Sequence, residues 1–173
     1  RVISELMTRW DIPGGAVAVV KDGRLVYARG FGYDDLERRE TVEPDALFRI
    51  ASVSKPITGV AILKLVEEGR LDLDAKAFDL LSHLPPPPGA TVDPRLDGIT
   101  VRQLLHHLGG WDRDQSFDPM FRSTEAAEAL GVSPPAGAEI VIRWMRGHPL
   151  QFDPGTRYAY SNFGYAVLGR IIE

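Results

Sequence analysis

The chain contains no cysteine. Disulfides, thiol nucleophiles and thiolate metal sites are therefore excluded, although a cysteine-free chain suits reducing and oxidising surroundings alike. No apolar run approaches the ~20 residues that span a bilayer. The first residues, RVISELMTRWDIPGG, lack the uninterrupted apolar stretch of a signal peptide. No excess of positive charge is present: 20 Lys and Arg against 24 Asp and Glu give a net charge of −4, and the basic residues are scattered instead of grouping with aromatics, so there is no field for nucleic acid. What remains is 173 residues with 44% apolar and 25% charged side chains, the balance of a soluble globular protein forming one domain or part of one. The chain opens on Arg1 and not on methionine, which leaves the compartment open. It is periplasmic or secreted if an export signal has been removed, and cytoplasmic otherwise.

Residues 15 to 33, GAVAVVKDGRLVYARGFGY, read as two strands joined by Asp22-Gly23, a turn pair that accepts positive φ. Both strands are nearly continuous in apolar residues, which predicts helices over both faces of the sheet. A polar connection over 34–46 and LFRI, a short strand or extended lead-in, follow. From Ser52 to about Gly69 a helix is predicted, with Ile57, Val60, Ile62, Leu63, Leu65 and Val66 as its apolar stripe. Pro56 is tolerated only in a first turn, so that helix starts within a few residues of Ser52.

LDLDAKAFDLLSHL predicts a loop and short helix, and Pro85 to Pro88 with Gly89 an extended connector. Thr100 caps VRQLLHHL, which Gly109-Gly110 ends, and further helices are expected over 123–131 and 138–146. Phe152-Asp153-Pro154-Gly155 is a turn, RYAY is extended, and Ser161 or Asn162 caps a last helix running to Glu173. An α/β (α+β) domain carrying a helical subdomain fits this order.

Ser52 and Lys55, in SVSK, lie one helical turn apart on one face, so the ammonium reaches the hydroxyl. A serine hydroxyl attacks at neutral pH only when a neighbour takes its proton, and lysine does so only when burial and the positive end of a helix lower its pKa. The same helix start places the Ser52 N–H to face a developing oxyanion. The plain alternative is a serine N-cap followed by a surface lysine. Tyr160-Ser161-Asn162 adds a phenol and a carboxamide at one bend. Tyr160 beside Lys55 forms a coupled pair in which either group carries the proton deficit, and Asn162 holds Lys55 or a substrate amide. Here too a capping serine or asparagine and a core tyrosine are the alternative.

Together these segments resemble the serine β-lactamase and penicillin-binding-protein superfamily, in its class C-like branch with D-alanyl carboxypeptidases, D-aminopeptidases and family VIII esterases. IPGGAVAVVKDGRLVYARGFG is similar to its first hairpin, LFRIASVSKPITGVAILKLVEEGRLDLD to its nucleophile helix, ITVRQLLHHLGGW to its T-x-R-x-L-L-x-H-x-S-G-L segment, and PGTRYAYSN to its second motif. The resemblance implies an antiparallel sheet flanked by helices plus a helical subdomain. Residues of about 1–80 and 163–173 would form the α/β part and about 81–162 the helical part. It implies Ser52 as the acylated nucleophile, Lys55 as base or proton shuttle, Tyr160 as general base, and Asn162 as a substrate and lysine contact. Acyl transfer would run from a β-lactam, D-alanyl peptide or small ester to serine and then to water, with no metal or organic cofactor.

The sequence also departs from that pattern. The third motif, K-[ST]-G or H-x-G on a strand, is not seen after Asn162, since Lys21-Asp22-Gly23 is a hairpin turn and His107-Leu108-Gly109 ends a helix. The chain therefore reads as an N-terminal portion whose site and fold are incomplete. Self-association or pairing with a complementary C-terminal half is expected, and a non-catalytic binding or assembly module is the rival reading. Gly109 also replaces the family's usual serine. His106 and His107 diverge on a helix and make no zinc pair. Asp112, Asp114, Ser116 and Asp118 echo a calcium loop, but Phe117 stands where glycine is required and Ser123 where the closing glutamate would be. That stretch is read as a loop near the substrate entrance.

Overall fold

Asp22 and Gly23 take φ of 50° and 72°, the left-handed pair that lets two antiparallel strands meet without splaying. This turn belongs to a computed structural model that describes residues 2–35, 37 and 39–173. The chain divides into two compact units, residues 1–51 and 52–173.

In the first unit, helix α1 (Val2–Arg9) precedes β1 (Gly14–Lys21) and β2 (Arg24–Asp35). The strands pair antiparallel from Gly14 opposite Gly32 to Lys21 opposite Arg24, with a register shift at Val19/Val20. A third strand, β3 (Glu40–Thr41), pairs with the end of β2 and gives the order β1-β2-β3. Strand pairing thus enters the segment expected to be only a polar connection. Gly30 is where the backbones crowd: a Cβ there would lie 1.6 Å from the Val42 carbonyl oxygen. Residues 47–50 are irregular and form no strand. Val20, Leu25 and Val26, at the hairpin end of the sheet, are exposed.

In the second unit, a 3₁₀ turn over Ala51–Val53 runs into α2 (Ser54–Glu67). Pro56 lies in its first turn, as its missing N–H requires. Gly69, at φ 69°, ends the helix in the left-handed conformation that glycine adopts freely. Of the predicted wide stripe, Ile62 is fully buried, whereas Ile57, Val60 and Leu63 are exposed, and apolar residues run around most of the circumference of α2.

The core gathers on α7 (Asn162–Ile172), whose Phe163, Val167 and Leu168 are buried. Around α7 stand α2, α3 (Ala77–Leu80), α4 (Val101–Leu105) and α6 (Ala138–Met145), while α5 (Ser123–Leu130) packs on α6. Thr100 and Gln103 form a reciprocal capping box at the start of α4. The helix stops earlier than VRQLLHHL predicts, because His107 turns to φ 59° and gives its carbonyl to the Ala159 N–H at 3.0 Å. Among the described residues no helix is long and apolar enough to cross a membrane.

Candidate active site

Ser161 decides how the second motif is presented. Its Oγ accepts the Gly164 N–H at 2.9 Å, so Ser161 and not Asn162 caps α7. Asn162 then begins the helix with its carboxamide free for other partners, and Tyr160 precedes the cap on an extended segment. At the other wall the N-cap residue of α2 is Val53, which offers no side-chain cap. Neither Ser52 nor Ser54 caps that helix through its side chain, and the Ser54 carbonyl accepts from the Thr58 hydroxyl.

The oxygen of Ser52 is therefore available, and it is exposed. It lies 2.5 Å from the Tyr160 hydroxyl, and the Lys55 ammonium donates to it at 3.2 Å. Lys55 also donates to Asn162 Oδ1 at 2.7 Å. All four residues singled out in the sequence, Ser52, Lys55, Tyr160 and Asn162, thus meet in one hydrogen-bonded group. The residue before them, Ala51, has φ of 43°, a strained value for a side chain bearing a Cβ.

Electrostatics favour the phenolate of Tyr160. The hydrogen bond from Lys55 holds its pKa below the ordinary phenol value, the bond from Ser52 adds to this, and partial burial opposes both. Lys55 Nζ lies 4.7 Å from the Tyr160 ring centroid and the Arg113 guanidinium carbon 5.0 Å from it. His107 stacks on the same ring, with centroids 4.7 Å apart. Its Nδ1 faces the Ser161 N–H at 3.1 Å, so this nitrogen is the acceptor and the imidazole is neutral. Burial first, then the Lys55 charge, lowers the His107 pKa.

His107, Arg113 and Asp118 were not assigned to this site from sequence. The sequence offers His107 as a zinc ligand or as part of an H-x-G triplet, both set aside, and Asp118 as part of a calcium echo in a loop near the substrate entrance. The acidic loop is instead knitted by its own bonds: Asp112 accepts from the Asp114 N–H, Gln115 and Arg157. Among the described residues no group of three or more potential ligands is placed to hold a metal.

Comparison with known proteins decides the family, because the Beta-lactamase family model matches residues 1–173. The chain belongs to the beta-lactamase family. A curated relative, Protein flp of Staphylococcus aureus (strain COL), is 31% identical over 172 residues, covering 99% of this chain and 32% of that protein. The chain thus spans about a third of that relative's length. The octameric penicillin-binding protein homologue from Pyrococcus abyssi superposes with a TM-score of 0.74 at 32% identity, covering 99% of this chain and 37% of that one. EstCE1, a hydrolase with promiscuous acyltransferase activity, superposes at 0.71 with 26% identity, covering 97% and 43%. The fold is accordingly that of the β-lactamase/transpeptidase group, an antiparallel sheet with helices, present here as a partial domain. Its superfamily is one of serine hydrolases.

Proposed function

We propose that the protein of which this chain is part is a serine acyl-hydrolase, with Ser52 as the residue acylated. One observation carries this reading: the Ser52 hydroxyl, free of any capping role, lies 2.5 Å from a phenol whose pKa is lowered by Lys55 and Ser52. Tyr160, ionised beside Lys55, takes the serine proton as Oγ bonds to the carbonyl carbon of an amide or ester. The tetrahedral adduct collapses when that proton is returned to the departing amine or alkoxide, leaving an ester on Ser52. Water then attacks the ester, giving its proton to Tyr160, and the acid leaves as Ser52 recovers its hydrogen. Asn162 holds the Lys55 ammonium throughout.

The substrate class is a β-lactam, a D-alanyl peptide or a small ester. A fluorescent penicillin and a p-nitrophenyl ester, followed by mass spectrometry of the labelled peptide, distinguish these. An adduct on Ser52 that is lost in Ser52→Ala supports the reading. Absence of any adduct in the whole protein overturns it and leaves a binding or assembly module on the same fold.

A further inference from the structure

Asn162 is held from both sides. Its Oδ1 accepts from Lys55 at 2.7 Å, and its Nδ2 donates to Asp118 Oδ2 at 2.7 Å. An ammonium only donates and a carboxylate only accepts, so a carboxamide between them has one permitted orientation. Asp118 is itself fixed. Its side chain is 12% exposed, its Oδ1 accepts the Met120 N–H at 3.1 Å, and its carbonyl accepts the Phe121 N–H at 3.1 Å, closing the 3₁₀ turn Pro119–Phe121. Arg113 lies 3.6 Å from Oδ2 and covers the Tyr160 ring.

From this geometry we infer that Asp118 is a positioning residue for the serine site: it fixes the Asn162 carboxamide so that Oδ1 holds Lys55 against Ser52. The inference rests on the acyl-enzyme reading for its catalytic consequence, but the orientation itself stands on the hydrogen bonds. The two carboxylate oxygens have separate duties, Oδ1 to the turn and Oδ2 to Asn162, with Arg113 3.6 Å from the latter. That separation permits a clean test.

In Asp118→Asn the carbonyl oxygen retains the Met120 N–H, while an amide nitrogen replaces Oδ2. Asn162 must then turn its carbonyl toward residue 118 and present N–H groups to the Lys55 ammonium, donor against donor. In Asp118→Ser the turn keeps a capping oxygen and the Asn162 amide is unconstrained. Acylation of the whole protein by the fluorescent penicillin or the ester is expected to slow in the order wild type, Asp118→Ser, Asp118→Asn. The last should lose roughly 10- to 100-fold, as for a displaced catalytic group. The loss should fall on the acylation rate, and Asp118→Asn should add nothing in an Asn162→Ala background.

A second measurement needs no turnover: exchange of the Lys55 ammonium protons with water, followed by NMR, should quicken in the same order. If both variants acylate and exchange like wild type, or if their effects add to Asn162→Ala, Asp118 is only a turn residue and the inference falls while the acyl-enzyme reading stands. If wild type itself forms no adduct, the acyl-enzyme reading falls, and the exchange rates still decide whether Asp118 orients the amide.

Discussion

The Ser52 hydroxyl and the Tyr160 phenol, 108 positions apart in the chain, come within 2.5 Å of each other. Neither residue alone marks a site. The contact exists because a strained turn exposes Ser52 ahead of α2, while Ser161 takes the cap of α7 and leaves its two neighbours free.

Replacing Tyr160 by phenylalanine removes the phenol and keeps the ring that His107 and Arg113 cover. Acylation of Ser52 should fall by about 10²- to 10⁴-fold with little change in unfolding temperature. Tyr160 is an acid whose pKa is depressed by Lys55 and Ser52, so its active, deprotonated form is gained as pH rises through a value below 10.0. Acylation rates measured against pH should therefore rise through such a limb in wild type. A limb that survives unchanged in Tyr160→Phe would assign it to another group.

His107 must stay neutral to accept the Ser161 N–H, and its pKa is lowered from 6.5 by burial and by Lys55. The unfolded chain binds this proton more readily, so the stability that His107 contributes is complete above pH 6.5 and is lost as pH falls through the folded value. Urea unfolding at a series of pH values should show that decline in wild type, and the His107→Gln variant should lack its share. NMR of the imidazole should place the folded titration below 6.5.

Asp93 works in the same direction at lower pH. The Arg95 side chain bonds both its oxygens, and the N–H groups of Leu150 and Arg95 add to that hold against the opposing effect of burial, so its carboxyl lies well below the usual carboxylate range. This stability is present above the ordinary carboxylate pKa of about 4 and disappears as pH falls further. Asp93→Asn should cost about 1–3 kcal/mol at neutral pH in denaturant unfolding, since hydrogen bonds to a charged group are lost. Little difference from wild type should remain in strong acid.

Local chemistry explains what the sequence made legible. Asp22-Gly23, Pro56, the Thr100 box and the cap of α7 are each set by residues within a few positions, so the hairpin, the helix starts and the spacing of Ser52 to Lys55 could be read directly. The faces of α2 could not. Ile57, Val60, Ile62 and Leu63 are alike in composition, and only packing against α7 separates the buried Ile62 from the others. His107 and Asp118 were missed for a related reason: each serves through a partner more than forty positions away, Ser161 for one and Asn162 for the other. A helical period carries no record of such a bond.

Gly109 stands where the resembling segment carries serine, and the fold gives a reason. A Cβ at 109 would lie 2.7 Å from the indole of Trp111, which packs edge-on against Phe163 at 4.7 Å between centroids and is itself buried. That ring cannot retreat without disturbing α7, so Gly109→Ser should cost about 1–3 kcal/mol by overpacking. Shrinking the neighbour should relieve it: in a Trp111→Leu background the added serine should cost less, with a coupling of about 0.5–3 kcal/mol in thermal or denaturant unfolding. Equal costs in both backgrounds would show that the indole is not what excludes serine. The same cycle reports on the site, because Trp111 lies two residues before Arg113, which covers the Tyr160 ring. Displacing the indole should shift Arg113 and slow acylation of Ser52, so the added serine should slow acylation less in the Trp111→Leu background than in wild type.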